Sequence, residues 1–149
     1  KGTEVSEKAI RNGLEKTFWP GRLEIIRKNP AVILDGAHNP DGWEKAFAAI
    51  EIFRTEKLIV VFGAMADKHV HEFRKHLRKI DSLLLTKSDS PRAEAPETLK
   101  KRIGTGACFE RPQEAFESAI MLAGKNGTVL ITGSLHLLGD AYMHFKIKI

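Results

Sequence analysis

The sequence predicts an α/β fold: a mostly parallel, six-stranded sheet between two layers of helices. Two observations lead to this prediction. Short apolar runs, such as 58–62 and 129–131, have the composition of strands buried on both faces. These runs alternate with segments whose apolar residues recur every three or four positions, as they do on one face of a helix. Such alternation is typical of a three-layer αβα, Rossmann-like architecture.

The amino-terminal part departs from this pattern. A helix is expected over about 6–16, followed by a break at Trp19-Pro20-Gly21. The β-rich runs 23–26 and 31–34 are separated by four turn-prone residues, which predicts an antiparallel hairpin and hence one antiparallel strand. We expect residues 1–18 to be the helical end of a preceding domain or a linker, and residues 19–149 to form the domain itself.

The remaining elements follow in order along the chain. Helices are expected over 40–53, 70–80, 96–103, 112–123 and 135–145, and strands over 58–62, 82–86, 107–109 and 128–132. The first of these helices places Trp43, Phe47, Ile50 and Phe53 at helical spacing. The second turns Val70, Phe73, Leu77 and Ile80 inward, and its basic residues then form the solvent-exposed face.

Composition excludes several classes of protein. The 149 residues allow one domain with a proper core, and no apolar run approaches the roughly 20 residues needed to cross a membrane. Cys108 is the one cysteine, which excludes an intrachain disulfide and favours a cytoplasmic protein; we expect a buried, inert thiol. The net charge is +5, but no aromatic residues interleave with the basic ones, so we expect no nucleic-acid partner.

The amino end has neither an initiator methionine nor a signal peptide, and from this we expect a fragment of a longer chain.

Polar loops follow four of the predicted strands. In open α/β sheets, ligands bind beyond the carboxyl ends of the parallel strands. The loops concentrate glycine and polar residues, and three of them lead directly into a helix, whose first free N–H groups can hold an anion. They are residues 35–39, 63–68, 86–92 and 132–134.

Each candidate residue in these loops also has a purely structural interpretation. Asp35 can accept hydrogen bonds from ribose hydroxyls or cap a turn, and His38 can meet a substrate or simply complete the turn. Asn39 is suited to cap the following helix. Lys68 can hold a carboxylate or phosphate or be a solvated charge, and Ser134 can contact a ligand or cap its helix.

Several catalytic motifs are missing from the sequence. It contains neither a G-x-x-x-x-G-K-[ST] phosphate loop nor G-x-G-x-x-G, so a complete ATPase is not encoded here. Gly133-Ser134 lacks the flanking glycines of a nucleophile elbow. His69 and His71 have no companion ligands at zinc-site spacing, so we expect no metal site.

Four motifs in register resemble the carboxy-terminal domain of folylpolyglutamate synthases and dihydrofolate synthases, in the Mur ligase superfamily. The resemblance spans about residues 5–142. The motifs are Trp19-Pro20-Gly21-Arg22-Leu23-Glu24, Asp35-Gly36-Ala37-His38-Asn39-Pro40, Gly63-Ala64-Met65-Ala66-Asp67-Lys68 and Thr132-Gly133-Ser134-Leu135. The chain departs from the family pattern at His69 and His136, and these departures concern substrate preference.

The resemblance implies a reaction and a set of roles. ATP would phosphorylate a folate or pteroate carboxylate, and L-glutamate would attack the acyl phosphate. Arg22 would contact the phosphates and Asp35 the ribose. The glutamate side would be lined by His38, Asn39, Lys68 and Ser134. Of these, His38 would be both a substrate contact and the catalytic residue. The Mg²⁺ ligands and the phosphate loop would lie in a missing ATPase domain, over which this domain would close as a lid.

Two other functions remain open on the residues alone. The chain could be a non-catalytic nucleotide-sensing or interaction module, because fold alone does not fix function. It could also be part of a superfamily ligase acting on a peptidoglycan precursor.

Overall fold

The computed structural model describes residues 5–53 and 56–148, except for the side chain of Phe53. The helices are α1 (Glu7–Lys16), α2 (Pro40–Phe53), α3 (Pro96–Ile103), α4 (Pro112–Ala123) and α5 (Leu135–His144), with a 3-10 helix η1 at Val70–Lys79. The strands are β1 (Glu24–Lys28), β2 (Ala31–Asp35), β3 (Leu58–Phe62), β4 (Ser82–Thr86), β5 (Ala107–Phe109) and β6 (Thr128–Thr132). None of the helices in these ranges is long and apolar enough to span a membrane.

The six strands form one sheet in the order β1-β2-β6-β3-β4-β5. β1 pairs with β2 in the antiparallel sense, and every other neighbouring pair is parallel. The predicted fold class is therefore confirmed, including the single antiparallel strand. The hairpin begins later than predicted, because Leu23 has a φ of 48°, in the left-handed region, and precedes the strand.

The pleat of the sheet divides the core into two layers. Leu58, Val60 and Phe62 of β3 pack with α2, η1 and α3, whereas Ile59 and Val61 pack with α4 and α5. Successive side chains of a strand point to opposite faces, so a wholly apolar strand serves both layers. Helices cover both faces of the sheet, which confirms the three-layer architecture.

The segment that follows β3 is wound more tightly than the α-helix that its apolar spacing suggests. In η1 the buried residues are Val70, Phe73 and His76, at intervals of three, which matches the three residues per turn of a 3-10 helix. Leu77 and Ile80, predicted as inward residues at α-helical spacing, are only partly buried. Leu77 and Ile80 still pack against the core, as predicted, but the third fully buried position is His76, which the apolar spacing did not indicate.

His76 is a buried histidine whose Nε2 lacks a hydrogen-bond partner in the described part of the chain. It is 2% exposed, and its ring stacks on Phe47 with centroids 4.5 Å apart. Among the described residues its Nε2 has no hydrogen-bond partner, and Glu44 Oε2 lies 4.0 Å away. Burial lowers the pKa of His76; Glu44 opposes this shift, and Lys79 and Lys75 add to it.

We expect His76→Phe to reduce the loss of stability in acid. The unfolded chain binds a proton at histidine below about pH 6.5, whereas the folded protein, with its lowered pKa, resists doing so. The free energy of unfolding therefore falls as the pH drops through this value. Urea unfolding at pH 7.5 and 5.5 checks this, with exposed His71→Gln as control. Equal acid sensitivity in the wild type and His76→Phe would contradict it.

Candidate functional site

The strand-end loops of β2, β6 and β3 lie side by side at one edge of the sheet. Asp35 pairs in register with Thr132, and Thr132 pairs with Phe62. Gly133 N donates to the Ala37 carbonyl over 3.0 Å, and Gly63 N donates to the Thr132 carbonyl over 3.3 Å. These hydrogen bonds continue the contact between the three loops beyond the last strand residues.

The loop after β4 reaches the same edge. A Cβ at position 63 would lie 2.7 Å from the Thr86 carbonyl oxygen, so the backbones of these two loops touch. Farther out, Glu94 N donates to the Ala64 carbonyl over 2.9 Å. All four loops predicted from the sequence therefore meet at one edge of the sheet.

Gly133 is required at the centre of this edge. Its φ is 105°, and a Cβ there would lie 2.6 Å from the Gly63 carbonyl oxygen. We expect Gly133→Ala to lower the free energy of unfolding by about 2–4 kcal/mol, because backbone strain and a steric clash add together. Gly139→Ala, on α5 with no atom within 4 Å of a new Cβ, is the control and should be neutral or slightly stabilising. Urea unfolding of both variants measures the difference.

Asp35 holds the loop backbone. It is 5% exposed, and its Oδ2 accepts from Leu23 N over 3.0 Å while Oδ1 accepts from Ala37 N over 2.9 Å. The carboxylate thus ties the start of the hairpin to the loop after β2. Each carboxylate oxygen has two lone pairs, so acceptor capacity remains for a ligand.

The turn that carries Arg22 packs against both the β2 loop and α5. Gly36 N donates to the Gly21 carbonyl over 2.8 Å, and Gly21 N donates to Glu24 Oε2 over 2.9 Å. Tyr142, on α5, donates its hydroxyl to the same Glu24 oxygen. Burial, together with Glu24, raises the pKa of Tyr142 to about 12, so it remains a donor.

The Arg22 side chain is exposed beside this turn. Within 5–53 and 56–148, its guanidinium has no hydrogen-bond or ion-pair partner. The turn beside the β2 loop therefore carries a permanent cation that no other described residue neutralises.

His38 and Asn39 follow Asp35 at the start of α2. His38 Nδ1 lies 2.8 Å from the Gly36 carbonyl oxygen. A carbonyl can only accept, so Nδ1 carries the proton and Nε2 is left as the acceptor in the neutral ring. Asn39 Oδ1 accepts from Gly42 N over 2.8 Å, which confirms its predicted role as the helix cap.

Lys68 lies on the loop after β3. Its Nζ is 3.3 Å from Asp67 Oδ2, and the other oxygen of Asp67 is 3.4 Å from Arg92 Nη2. The hydrogen bond from Lys68 lowers the pKa of the Asp67 carboxyl; burial opposes this shift, and the Asp67 backbone N–H and the charges of Lys68 and Arg92 add to it, so the group is ionised at neutral pH. The Lys68 ammonium thus has one exposed carboxylate neighbour, a weak and solvent-screened contact.

Ser134 caps α5, as its local sequence predicts. It is 3% exposed, and its Oγ accepts from His136 N over 3.1 Å. The cap satisfies the His136 N–H, and the other first-turn N–H groups of α5 have no partner within the helix, as at any helix start.

Sequence reasoning missed Arg102, its partner Glu94, and Asp140, which hold the loops after β3 and β4. Arg102 of α3 donates to the carbonyls of Ala66 and Lys68 and pairs with Glu94. Asp140 of α5 is buried and accepts from Asp89 N over 3.3 Å, and burial raises its pKa. The sequence carries only a weak signal for them, because each occupies an ordinary position on a predicted helix or loop.

Cys108 is partly buried on β5, rather than fully buried as expected. Burial, with Glu97 nearby, raises the pKa of its thiol. The thiolate is therefore scarce at neutral pH, in keeping with the predicted inert role.

A cavity of about 880 Å³ runs along α5, away from most of the predicted site. It is lined by Leu135, His136, Asp140, Tyr142 and Met143, together with the chain after α5. Arg22, Asp35, His38, Asn39, Lys68 and Ser134 do not line it. The candidate site is instead an open edge, formed by the ends of several loops.

The chain was compared with known protein families, curated proteins and solved structures. The family model of the Mur ligase, glutamate ligase domain matches residues 21–135. A dihydrofolate synthase/folylpolyglutamate synthase of Bacillus subtilis is 36% identical over 95% of this chain and 34% of that protein. A UDP-N-acetylmuramoyl-L-alanyl-D-glutamate–2,6-diaminopimelate ligase 1 of Clostridium acetobutylicum is 33% identical over 97% of this chain and 34% of that protein.

The fold agrees with a solved structure of the same group. Escherichia coli FolC in complex with DHPP and ADP matches with a TM-score of 0.85 and 30% identity, over 97% of this chain and 36% of that one. This chain spans about a third of the length of the relatives that it matches. The predicted resemblance to folylpolyglutamate and dihydrofolate synthases is confirmed, and with a family match over most of its residues the chain belongs to the Mur ligase, glutamate ligase domain family.

Proposed function

We propose that this chain is the carboxy-terminal lid domain of an ATP-dependent ligase that adds glutamate to a folate or pteroate carboxylate. The observation that carries the proposal is the convergence of four polar loops at the carboxyl edge of the parallel strands, in a chain of the glutamate ligase domain family. Ligands of open α/β sheets bind beyond this edge. Closure of such a domain over a neighbouring one excludes water from the reacting groups.

The proposed reaction passes through an acyl phosphate. A carboxylate oxygen of the folate or pteroate attacks the γ-phosphorus of ATP, the bond to the bridging oxygen breaks, and ADP leaves. The glutamate amine then attacks the acyl carbon, loses a proton, and expels inorganic phosphate as the amide forms. Because ATP activates the carboxylate, the protein mainly positions the reactants and stabilises charge.

Arg22 and Asp35 form the nucleotide side of the proposed site. The unneutralised guanidinium of Arg22 is suited to phosphate oxygens, which its planar fork can bind in pairs. Asp35, with lone pairs left beside its two amide contacts, is suited to the ribose hydroxyls. E. coli FolC, which shares this fold, was solved with ADP, which supports a nucleotide site in proteins of this type.

His38, Asn39, Lys68 and Ser134 form the glutamate side. Lys68 and the first turn of α5 at Ser134 would receive the glutamate carboxylates. The free Nε2 of His38 is an acceptor for the proton that the glutamate amine releases. Asn39, exposed beside His38, would contribute hydrogen bonds.

Mg²⁺ would be held outside this chain. Among the described residues, no group of three or more His, Cys, Asp or Glu side chains is placed to hold a metal ion. The donor set therefore does not suit a resident ion here. In the proposal, a separate ATPase domain of the same protein supplies both the phosphate loop and the Mg²⁺ ligands.

A second candidate acceptor is a peptidoglycan precursor. The observation that favours it is the 33% identity to the C. acetobutylicum diaminopimelate ligase over 97% of this chain. The third possibility, a non-catalytic nucleotide-sensing module, predicts nucleotide binding without ligation by any form of the protein.

A substrate panel separates these functions. The full-length protein that carries this chain is incubated with ATP and either pteroate or a folate with glutamate, or a UDP-N-acetylmuramoyl peptide with glutamate or 2,6-diaminopimelate. Product and ADP are then measured together. We expect a glutamylated pterin product with one ADP per amide, and no ATP turnover by the 149-residue chain alone. A product formed only from the cell-wall precursor would replace the folate assignment, and nucleotide binding without any product would overturn the enzyme assignment.

A further inference from the structure

Arg102 joins the loop that carries Lys68 to the body of the domain. Its Nη1 donates to the Ala66 carbonyl over 3.3 Å, and its Nη2 donates to the Lys68 carbonyl. The same Nη1 lies 3.0 Å from Glu94 Oε2. One guanidinium thus holds the main chain on both sides of Asp67.

Only arginine has the geometry for this arrangement. Two carbonyls and a carboxylate must be reached from one planar group, and the guanidinium presents its donors in a fixed fork, unlike the single ammonium of lysine. The Arg102 and Glu94 side chains are only 31% and 17% exposed, so their contacts are better shielded from water than those of Lys68 with Asp67. Hydrogen bonds from a charged donor in such surroundings are stronger than neutral ones.

Main-chain hydrogen bonds also restrain residues 66–68. Lys68 N donates to the Met65 carbonyl over 3.1 Å, and Ala66 N donates to the Arg92 carbonyl over 3.0 Å. The Lys68 carbonyl also accepts from Val70 N over 3.0 Å, and Arg102 adds a second donor to it and a donor to the Ala66 carbonyl. Without Arg102, the Ala66 carbonyl would turn toward water, the Lys68 carbonyl would keep only the Val70 N–H, and the Lys68 backbone would sample more orientations.

We propose that Arg102 is a positioning residue that sets where the Lys68 ammonium lies, acting through the main chain of residues 66–68. Arg102 thereby sets the affinity of the site for the carboxylate that Lys68 receives. The role of Lys68 in binding glutamate rests on the proposed function, whereas the clamp on residues 66–68 does not.

Steady-state kinetics of the full-length protein test the effect on binding. Arg102→Gln and Arg102→Lys should each raise the KM for glutamate roughly tenfold while leaving the KM for ATP unchanged. Arg74→Gln is the matched control, because Arg74 Nε donates over 2.8 Å to the carbonyl of Ile103, at the end of the same α3 helix. An unchanged KM for glutamate in both Arg102 variants, or an equal rise in Arg74→Gln, would overturn the proposal.

A double variant tests whether Arg102 acts through Lys68. In a Lys68→Ala background the ammonium is already missing, so Arg102→Gln should change the KM for glutamate less than about twofold. A further tenfold rise in that background would mean that Arg102 acts by another route.

Hydrogen exchange on the 149-residue chain tests the clamp without any activity. The amides of Ala66 and Lys68 should exchange faster in Arg102→Gln than in the wild type, and at the wild-type rate in Arg74→Gln. If no acceptor is glutamylated, the proposed function fails, yet faster exchange in Arg102→Gln still supports the clamp. Unchanged exchange in Arg102→Gln overturns the clamp, whatever the activity of the protein.

Discussion

Arg22→Ala is expected to raise the KM for ATP of the full-length protein roughly 10- to 100-fold, because charge-assisted hydrogen bonds of about 1.5–3 kcal/mol would be lost. The folded domain should be unaffected. The guanidinium is exposed and has no partner within 5–53 and 56–148, so we expect the free energy of unfolding to change by less than about 0.5 kcal/mol. Steady-state kinetics and urea unfolding of the same preparations separate the two effects.

Two further variants sharpen this test. Arg22→Lys keeps the charge and loses the fork, so its KM for ATP should lie between those of the wild type and Arg22→Ala. Arg27→Ala removes an exposed arginine from the hairpin that follows this turn. The Nε of Arg27 donates to the Asn29 carbonyl, and the variant should behave as the wild type. A normal KM for ATP in Arg22→Ala would remove Arg22 from the nucleotide site.

Asp35→Ala is expected to impair both folding and ligation. The substitution leaves Leu23 N and Ala37 N without their buried acceptor, at a cost of about 1–3 kcal/mol for each group. We therefore expect the free energy of unfolding to fall by about 3 kcal/mol. Ligation by the full-length protein should fall by at least about 100-fold, because the turn of Arg22 and the loop of His38 lose their common anchor.

The matched variants separate structure from binding. Asp35→Asn keeps one acceptor oxygen and should recover part of the stability, while its ligation stays impaired. Asp41→Ala removes an exposed carboxylate of α2 that pairs only with Lys45 among the described residues, and should cost less than about 1 kcal/mol. Wild-type stability in Asp35→Ala, measured by urea unfolding, would show that the two amide contacts contribute little.

Much of the fold could be predicted because its signals are local. Apolar runs such as β3 and the centre of β6 are typical of a sheet covered on both faces, and the capping residues Asn39 and Ser134 mark the starts of their own helices. The left-handed Leu23 and the tight winding of η1 could not be predicted, because each depends on contacts with distant segments. Leu23 N is held by Asp35, twelve residues later. The assignment of residues 1–18 to a preceding domain or linker remains a prediction. It agrees with α1, which buries none of its residues.

The site was only partly predictable for the same reason. The rule for strand ends located Asp35, His38, Asn39, Lys68 and Ser134 without reference to any relative. Arg22 lies in a turn before the hairpin, and only family resemblance pointed to it. Arg102 follows Lys100 and Lys101 in the last turn of α3, where basic residues are common, and only its contacts distinguish it.

A structure of the full-length protein with a non-hydrolysable ATP analogue and L-glutamate tests the central claim most directly. We expect phosphate oxygens within hydrogen-bond distance of the Arg22 guanidinium, and ribose hydroxyls at Asp35. A glutamate carboxylate should lie at Lys68 and the first turn of α5. A nucleotide bound away from the carboxyl edge of the sheet, with glutamate out of reach of Lys68 and Ser134, would contradict the account.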